Sequence, residues 1–339
     1  MSGTIRKTLI AGLLAAAAMS ATARAETVLR FSNWVPPQHP VSTDIINVYA
    51  ERIAEATEGR VKVRVLSPGL GKPPAHLDLV KNGVADMAFA VHSYNADRFA
   101  LPRVAELPFL SKDSTSASVA YWRVHEKYLA PAGEHKGVKL LGLWVHGPAH
   151  VWTIKAPVNT LDDLGGQKIR VAGGITKDIA EALGAVPFFA PASKTYEALS
   201  KGVADGIFFP SESVPGFKLD KIIRHGLMVP GGLYRSSQYI VMNQAKWDAL
   251  SDADRQAVDS VSGEALARLA GEVWDRIDAR GIETMTASGI SFRTADGALL
   301  DGIKARVGGL EGEWLATAKA KGVDGDAALA MLKAEIAGM

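Results

Sequence analysis

Two distant stretches of this chain spell nearly the same unit. Asp78-Leu79-Val80-Lys81-Asn82-Gly83-Val84-Ala85-Asp86 leads into the apolar run Met87 to Val91. Glu197-Ala198-Leu199-Ser200-Lys201-Gly202-Val203-Ala204-Asp205 leads into Gly206 to Phe209. Each reads as a helix ended by a glycine, an aspartate at the turn, and a buried strand; glycine suits the left-handed conformation that closes a helix. A unit that recurs in this way predicts two similar lobes rather than one continuous domain.

The surrounding pattern agrees. Val28 to Phe31 reads as a strand running into the loop Ser32 to Pro40. A helix follows over about Ser42 to Thr57, carried by Ile45, Ile46, Tyr49, Ile53 and Ala54 and stopped by Gly59. The alternation Val61-Lys62-Val63-Arg64-Val65 predicts the next strand. Strand–helix–strand is the opening of an α/β sandwich. Near the other end, Ser251 to about Thr286 lacks proline and places Val258, Val261, Leu266, Leu269, Val273 and Ile277 on one stripe, with Ser251 and Asp254 at its start in a capping-box-like arrangement. One helix of that length would run roughly 50 Å, enough to lie along both lobes, with Gly263, Gly271 and Gly281 as places to break or bend.

The first residues carry an export pattern. Arg6 and Lys7 precede an apolar stretch from Leu9 to Met19, and Ala23 and Ala25 stand as a small-x-small site that predicts cleavage before Glu26. The apolar stretch is shorter than the about 20 residues a spanning helix needs. Removing Arg6, Lys7 and Arg24 from the 38 basic residues leaves 35 against 36 acidic ones, a net charge of −1. Such a balance argues against nucleic acid or anionic lipid as partner. There is no cysteine, hence no disulfide and no lipidated N-terminal thiol. The expected compartment is the periplasm.

With these segments placed, the chain resembles the substrate-binding proteins of tripartite ATP-independent periplasmic (TRAP) transporters, of the dicarboxylate-binding-protein type. The resemblance rests on Leu161-Asp162-Asp163-Leu164-Gly165-Gly166-Gln167-Lys168-Ile169-Arg170-Val171, then Gly184-Ala185-Val186-Pro187, then Tyr196-Glu197-Ala198-Leu199 with Gly202, Asp205 and Gly206. Leu107-Pro108-Phe109 and Met242-Asn243 with Trp247 support it. It implies two α/β lobes with crossing strands, a long helix bridging both, and hinge closure over a ligand. The lobes are expected over 26–149 plus about 236–285, and over 150–235 plus about 286–339, with the C-terminal helices packing across both. An inner-membrane permease is the implied partner, and a monomer the expected state. Service to another importer or a sensor remains open at the level of sequence.

The resemblance also assigns Arg170 as the clasp for a ligand carboxylate, a task that suits the planar guanidinium fork. Around it the chain departs from the sialic-acid-binding members. Their second Arg is His150 here, an Asn becomes Phe209, another falls near Trp34, and an Arg and a Glu become Tyr94 and Val91. Charge is replaced by aromatic surface, so the expected ligand has one carboxylate and an aromatic or apolar body. His146 and His150 are four apart, but Gly147 and Pro148 between them break any helix that would make a metal site, and Glu212 is the remaining candidate for a bridging cation; no metal or cofactor is expected. The chain has no Gly-x-Ser-x-Gly elbow, His-Glu-x-x-His, phosphate loop or dinucleotide fingerprint, so a binding protein rather than an enzyme is expected.

Overall fold

The computed structural model describes residues 26–339; the export segment read above lies outside the described residues. Among the described residues eleven strands form two sheets. The strands are β1 (Thr27–Ser32), β2 (Val61–Leu66), β3 (Met87–Val91), β4 (Val138–Val145), β5 (Ala149–Thr153), β6 (Lys168–Val171), β7 (Val186–Phe189), β8 (Gly206–Pro210), β9 (His225–Met228), β10 (Ser237–Asn243) and β11 (Ser291–Thr294). The first sheet has the order β2-β1-β3-β10-β4 and the second β11-β9-β5-β8-β6-β7.

Reversed, the second sheet reads β7-β6-β8-β5-β9, the same arrangement with β11 added at the edge. β1 is parallel to β2 and β3 as β6 is to β7 and β8. β10 runs antiparallel to β3 and β4 as β5 does to β8 and β9. The two sheets exchange a strand in sequence, since β5 follows the first sheet and β10 follows the second.

The repeated unit explains itself in hydrogen bonds. Gly83 and Gly202 take φ of +73° and +67°, and the next residues, Val84 and Val203, donate back to Leu79 and Ala198. Asp86 then accepts the Arg30 N–H of β1 at 2.8 Å, and Asp205 accepts the Lys168 N–H of β6 at 3.0 Å. Each aspartate ties its own strand to the neighbouring parallel one. In this correspondence Arg170 of β6, opposite Ile207, occupies the place of Ser32 of β1, opposite Ala88.

The C-terminal stripe forms two helices, Asp252–Ser260 and Gly263–Ala287, rather than one. Ser251 caps the first by accepting the Asp254 N–H. The break falls at Val261 and Ser262, where the Ser262 hydroxyl meets Tyr49 Oη at 2.6 Å and Gly263 turns to φ +58° beside the Trp122 ring. Gly271 and Gly281 stay helical and serve close approach: a Cβ would lie 2.5 Å from Thr115 Cα in the first and 2.7 Å from the Glu212 backbone in the second. The 25-residue helix, about 37 Å long at 1.5 Å per residue, thereby packs on Ser114–Val124 and β4 at one end and on Ser213–Gly216 at the other. Of the last helices, Gly297–Val307 lies on Ile175–Ala182, whereas Leu310–Ala320 and Gly325–Ala337 pack beside Leu101–Glu106 and Ser114–Val124. Among the described residues no helix is long and apolar enough to cross a membrane.

Candidate functional site

Between the two sheets lies a cavity. The first sheet contributes Phe89 and Val91 of β3 and Gln238 of β10, with Trp34, His39, Tyr94 and Ser236 from adjoining loops. The second contributes Arg170 of β6 and Phe209 of β8, with Ala172, Ala192 and Ser213 nearby, and the long helix supplies Trp274. A wider surface groove around Phe109, Lys112, Lys304 and Met339 is lined by no buried polar atom lacking a partner. The inter-sheet cavity is different in kind.

Its central group is Arg170, 1% exposed. Nε donates to the Ala190 carbonyl at 2.7 Å, which fixes the plane of the guanidinium. Nη1 and Nη2 are buried and have no hydrogen-bond partner. The Phe209 ring lies 4.9 Å from Cζ, a cation–π contact. The Tyr94 hydroxyl is close enough to favour the charged form, but its own bond is the one it accepts from the Ala192 N–H at 2.9 Å. Burial pushes the guanidinium pKa below its ordinary value. A desolvated cation with two unmet edges costs stability, and a carboxylate supplies the missing acceptors and charge together.

No carboxylate side chain lines the cavity, and Arg170 is its only lysine or arginine. Its histidines do not add charge. His146 Nδ1 donates to the Gly147 carbonyl at 2.6 Å and Nε2 accepts the Ser236 N–H at 2.9 Å, the neutral tautomer with both nitrogens used. Burial holds its pKa down to about 3. His39 Nδ1 accepts the Val41 N–H, while Nε2 stands 3.3 Å from Glu212 Oε1 without hydrogen-bonding geometry. Burial lowers His39 to about 4 and raises Glu212 to about 8, so both are neutral near pH 7 and the contact is not an ion pair.

The walls are aromatic. Trp34 stacks on Phe89 at 5.4 Å, and Phe89 on Trp144 at 5.7 Å. Tyr94 tilts against Trp34 at 5.9 Å, and Phe209 packs on Phe217 at 5.7 Å. Bonds also cross between the two sheets' elements: the Ala192 N–H to the Tyr94 hydroxyl oxygen, Arg103 to Asp178 at 2.5 Å, and the Glu212 N–H to Asp278 Oδ1 at 2.7 Å.

Of the residues singled out from sequence, Arg170, Phe209, Trp34, Tyr94 and Val91 meet at this cavity. His150 does not line it. It sits on β5 opposite Phe209, but its Nδ1 accepts the Val229 N–H at 3.0 Å and its ring packs edge-on against Trp152. A strand-end N–H claims the imidazole. Sequence reasoning missed Trp274, Gln238, Ser236, Tyr234 and Phe217; the polar run Arg235-Ser236-Ser237-Gln238 ahead of an apolar strand was the available signal for two of them. Among the described residues no group of three or more His, Asp or Glu side chains is placed to hold a metal ion.

Comparison with known proteins places this geometry in context. Residues 31–300 match the DctP family, described as bacterial extracellular solute-binding protein, family 7. A TRAP periplasmic solute-binding protein of Bordetella bronchiseptica with bound (R)- and (S)-mandelate is 44% identical, with 92% of this chain and 99% of that one aligned and a TM-score of 0.90. A TRAP solute-binding protein of Rhodoferax ferrireducens with copurified benzoate is 28% identical, with 92% and 98% aligned and a TM-score of 0.86. The Comamonas testosteroni protein TsaT, named an outer membrane transporter protein, is 34% identical over 75% of each chain.

Proposed function

We propose that this chain, which belongs to the DctP family of bacterial extracellular solute-binding proteins and is a periplasmic binding protein of the TRAP type, captures an aromatic monocarboxylate and presents it to a membrane permease. The family consists of substrate-binding proteins rather than enzymes, and the chain acts by binding. The observation that carries the reading is Arg170: a buried guanidinium with two unpartnered terminal nitrogens, the one lysine or arginine in a cavity lined largely by aromatic and apolar side chains. The carboxylate takes the fork, and the ligand's body lies among Trp34, Tyr94, Phe209 and Val91. The mandelate and benzoate held by the two structural relatives support this choice of ligand class.

A second, separated carboxylate meets no second cation in such a cavity, since His146 and His39 are neutral and His150 does not line it. The lobes, 26–149 with about 236–285 and 150–235 with about 286–339, close about the strand crossovers and the long helix. A thermal-shift and calorimetric series over benzoate, mandelate, succinate and malate tests the proposal. Aromatic acids are expected to stabilise and bind; stabilisation by the C4-dicarboxylates alone would overturn it.

A further inference from the structure

The donors of the cavity outnumber its acceptors, and that imbalance extends beyond the carboxylate clasp. Trp34 and Trp274 both line the cavity, and each has a buried indole N–H with no acceptor. An indole nitrogen can only donate. Gln238 Oε1 is occupied by the Trp144 N–H at 2.7 Å, which fixes the amide and leaves its NH₂ as the unengaged end. The Tyr94 oxygen accepts from Ala192, so its own proton is free to be given. Against these, the acceptors are few: Tyr234 donates its hydroxyl proton to the Phe208 carbonyl, and Ser213 donates to Glu212 Oε2.

Resting on the carboxylate reading above, we propose that the site selects aromatic acids whose 2-position carries an accepting oxygen, the 2-oxo and 2-hydroxy arylacetates, and rejects their 2-amino counterparts. A keto oxygen accepts two hydrogen bonds and asks for none. A 2-hydroxyl accepts in the same way and can satisfy its single proton on its own carboxylate. An ammonium is the opposite: it presents three donors and no acceptor. Clasping the carboxylate on Arg170 holds the 2-position close to the guanidinium, so the ammonium meets a like charge in a desolvated setting. With no carboxylate in the lining, nothing offsets either penalty. The donors Trp34 Nε1 and Trp274 Nε1, left unmet by the protein, make the same distinction from the other side, because a buried donor stays unpaired unless the ligand brings an oxygen. The rings that shape the cavity thereby also set its polarity.

Calorimetry of the full mature protein with phenylglyoxylate, mandelate, phenylacetate and phenylglycine tests this. Phenylglyoxylate and mandelate are expected to bind about tenfold more tightly than phenylacetate, and phenylglycine at least about a hundredfold more weakly than mandelate, the range that charged and neutral buried hydrogen bonds give. Trp274→Phe and Trp34→Phe keep a ring and remove one donor each; at least one should lower mandelate affinity while leaving phenylacetate unchanged. Gln238→Glu keeps the acceptor for Trp144 and turns the free end into a carboxylate, so the ratio of phenylglycine to mandelate affinity should rise at least about tenfold. Phenylglycine binding within threefold of mandelate, or both Trp variants retaining the full preference over phenylacetate, overturns the selectivity while leaving the carboxylate reading intact. Failure of all four acids to bind overturns both.

Discussion

Replacing Arg170 by lysine separates charge from geometry. The guanidinium makes three commitments in one plane: Nε to the Ala190 carbonyl, and Nη1 and Nη2 to whatever enters the cavity. Lysine keeps the charge but has one nitrogen, which cannot hold the Ala190 carbonyl and a carboxylate edge in that plane. Loss of one charged hydrogen bond is worth about 1.5–3 kcal/mol, so the dissociation constant should rise roughly tenfold to a hundredfold. The same loss can be read as ligand-induced stabilisation. At a ligand concentration about 1,000 times the wild-type Kd, binding adds about 4.1 kcal/mol, and a hundredfold weaker variant at that concentration adds only about 1.4 kcal/mol. Differential scanning calorimetry with and without ligand, paired with titration calorimetry, reads both numbers. The unliganded variant should unfold close to the wild type, because a buried, unpaired cation contributes little net stability. A Kd unchanged within threefold would refute the assignment of Arg170 as anchor, whatever the ligand's class.

Two further substitutions test the scaffold around the cavity. Gly281→Ala puts a Cβ 2.7 Å from the Glu212 backbone and should cost about 1–3 kcal/mol in urea unfolding, by prying the long helix from the second sheet; an unchanged midpoint would contradict that contact. Burial raises Glu212 to about 8, so the folded protein holds a proton that the unfolded chain releases near its ordinary 4.5. The stability from that proton is full below about 4.5 and is lost as the pH rises through about 8. Glu212→Gln lacks it, and the wild-type advantage over the variant should shrink across that window; a constant difference would argue against a buried protonated Glu212.

The repeat was the most legible part of the sequence because its glycine and aspartate do local work: a left-handed cap and a carboxylate on a neighbouring strand's N–H. Arg170 was legible only through the family resemblance carried by the segment from Leu161 to Val171. Trp34, Tyr94, Val91 and Phe209 were reached through the same resemblance, as the places where charged or amide residues of the sialic-acid-binding members are replaced, and all four line the cavity. His150 shows the limit. The resemblance put it in the ligand cleft, yet it does not line the cavity, and its Nδ1 accepts the N–H of Val229, a neighbour that the antiparallel β5–β9 pairing supplies. Trp274 was hidden for the opposite reason: it stands beside Val273 on a helix whose apolar stripe already accounted for it. Gly263 was one of three glycines offered as a place to break, and the helix does break there; which of the three would break depended on Ser262 and its partner Tyr49, distant in the chain.

The strand exchange between the sheets has a consequence in time. β10 is the only link between β3 and β4, and β5 the only link between β8 and β9. A chain emerging N-terminus first can pair β1 with β2 and β3, but β4 has no place to dock until residues 237–243 arrive, after nearly all of the second sheet has passed. Neither half can finish and wait for the other. Contacts of such sequence separation make folding slow relative to stability. A molecule of this topology stays pliant while most of its length is still being threaded, and commits to its shape late and as a whole.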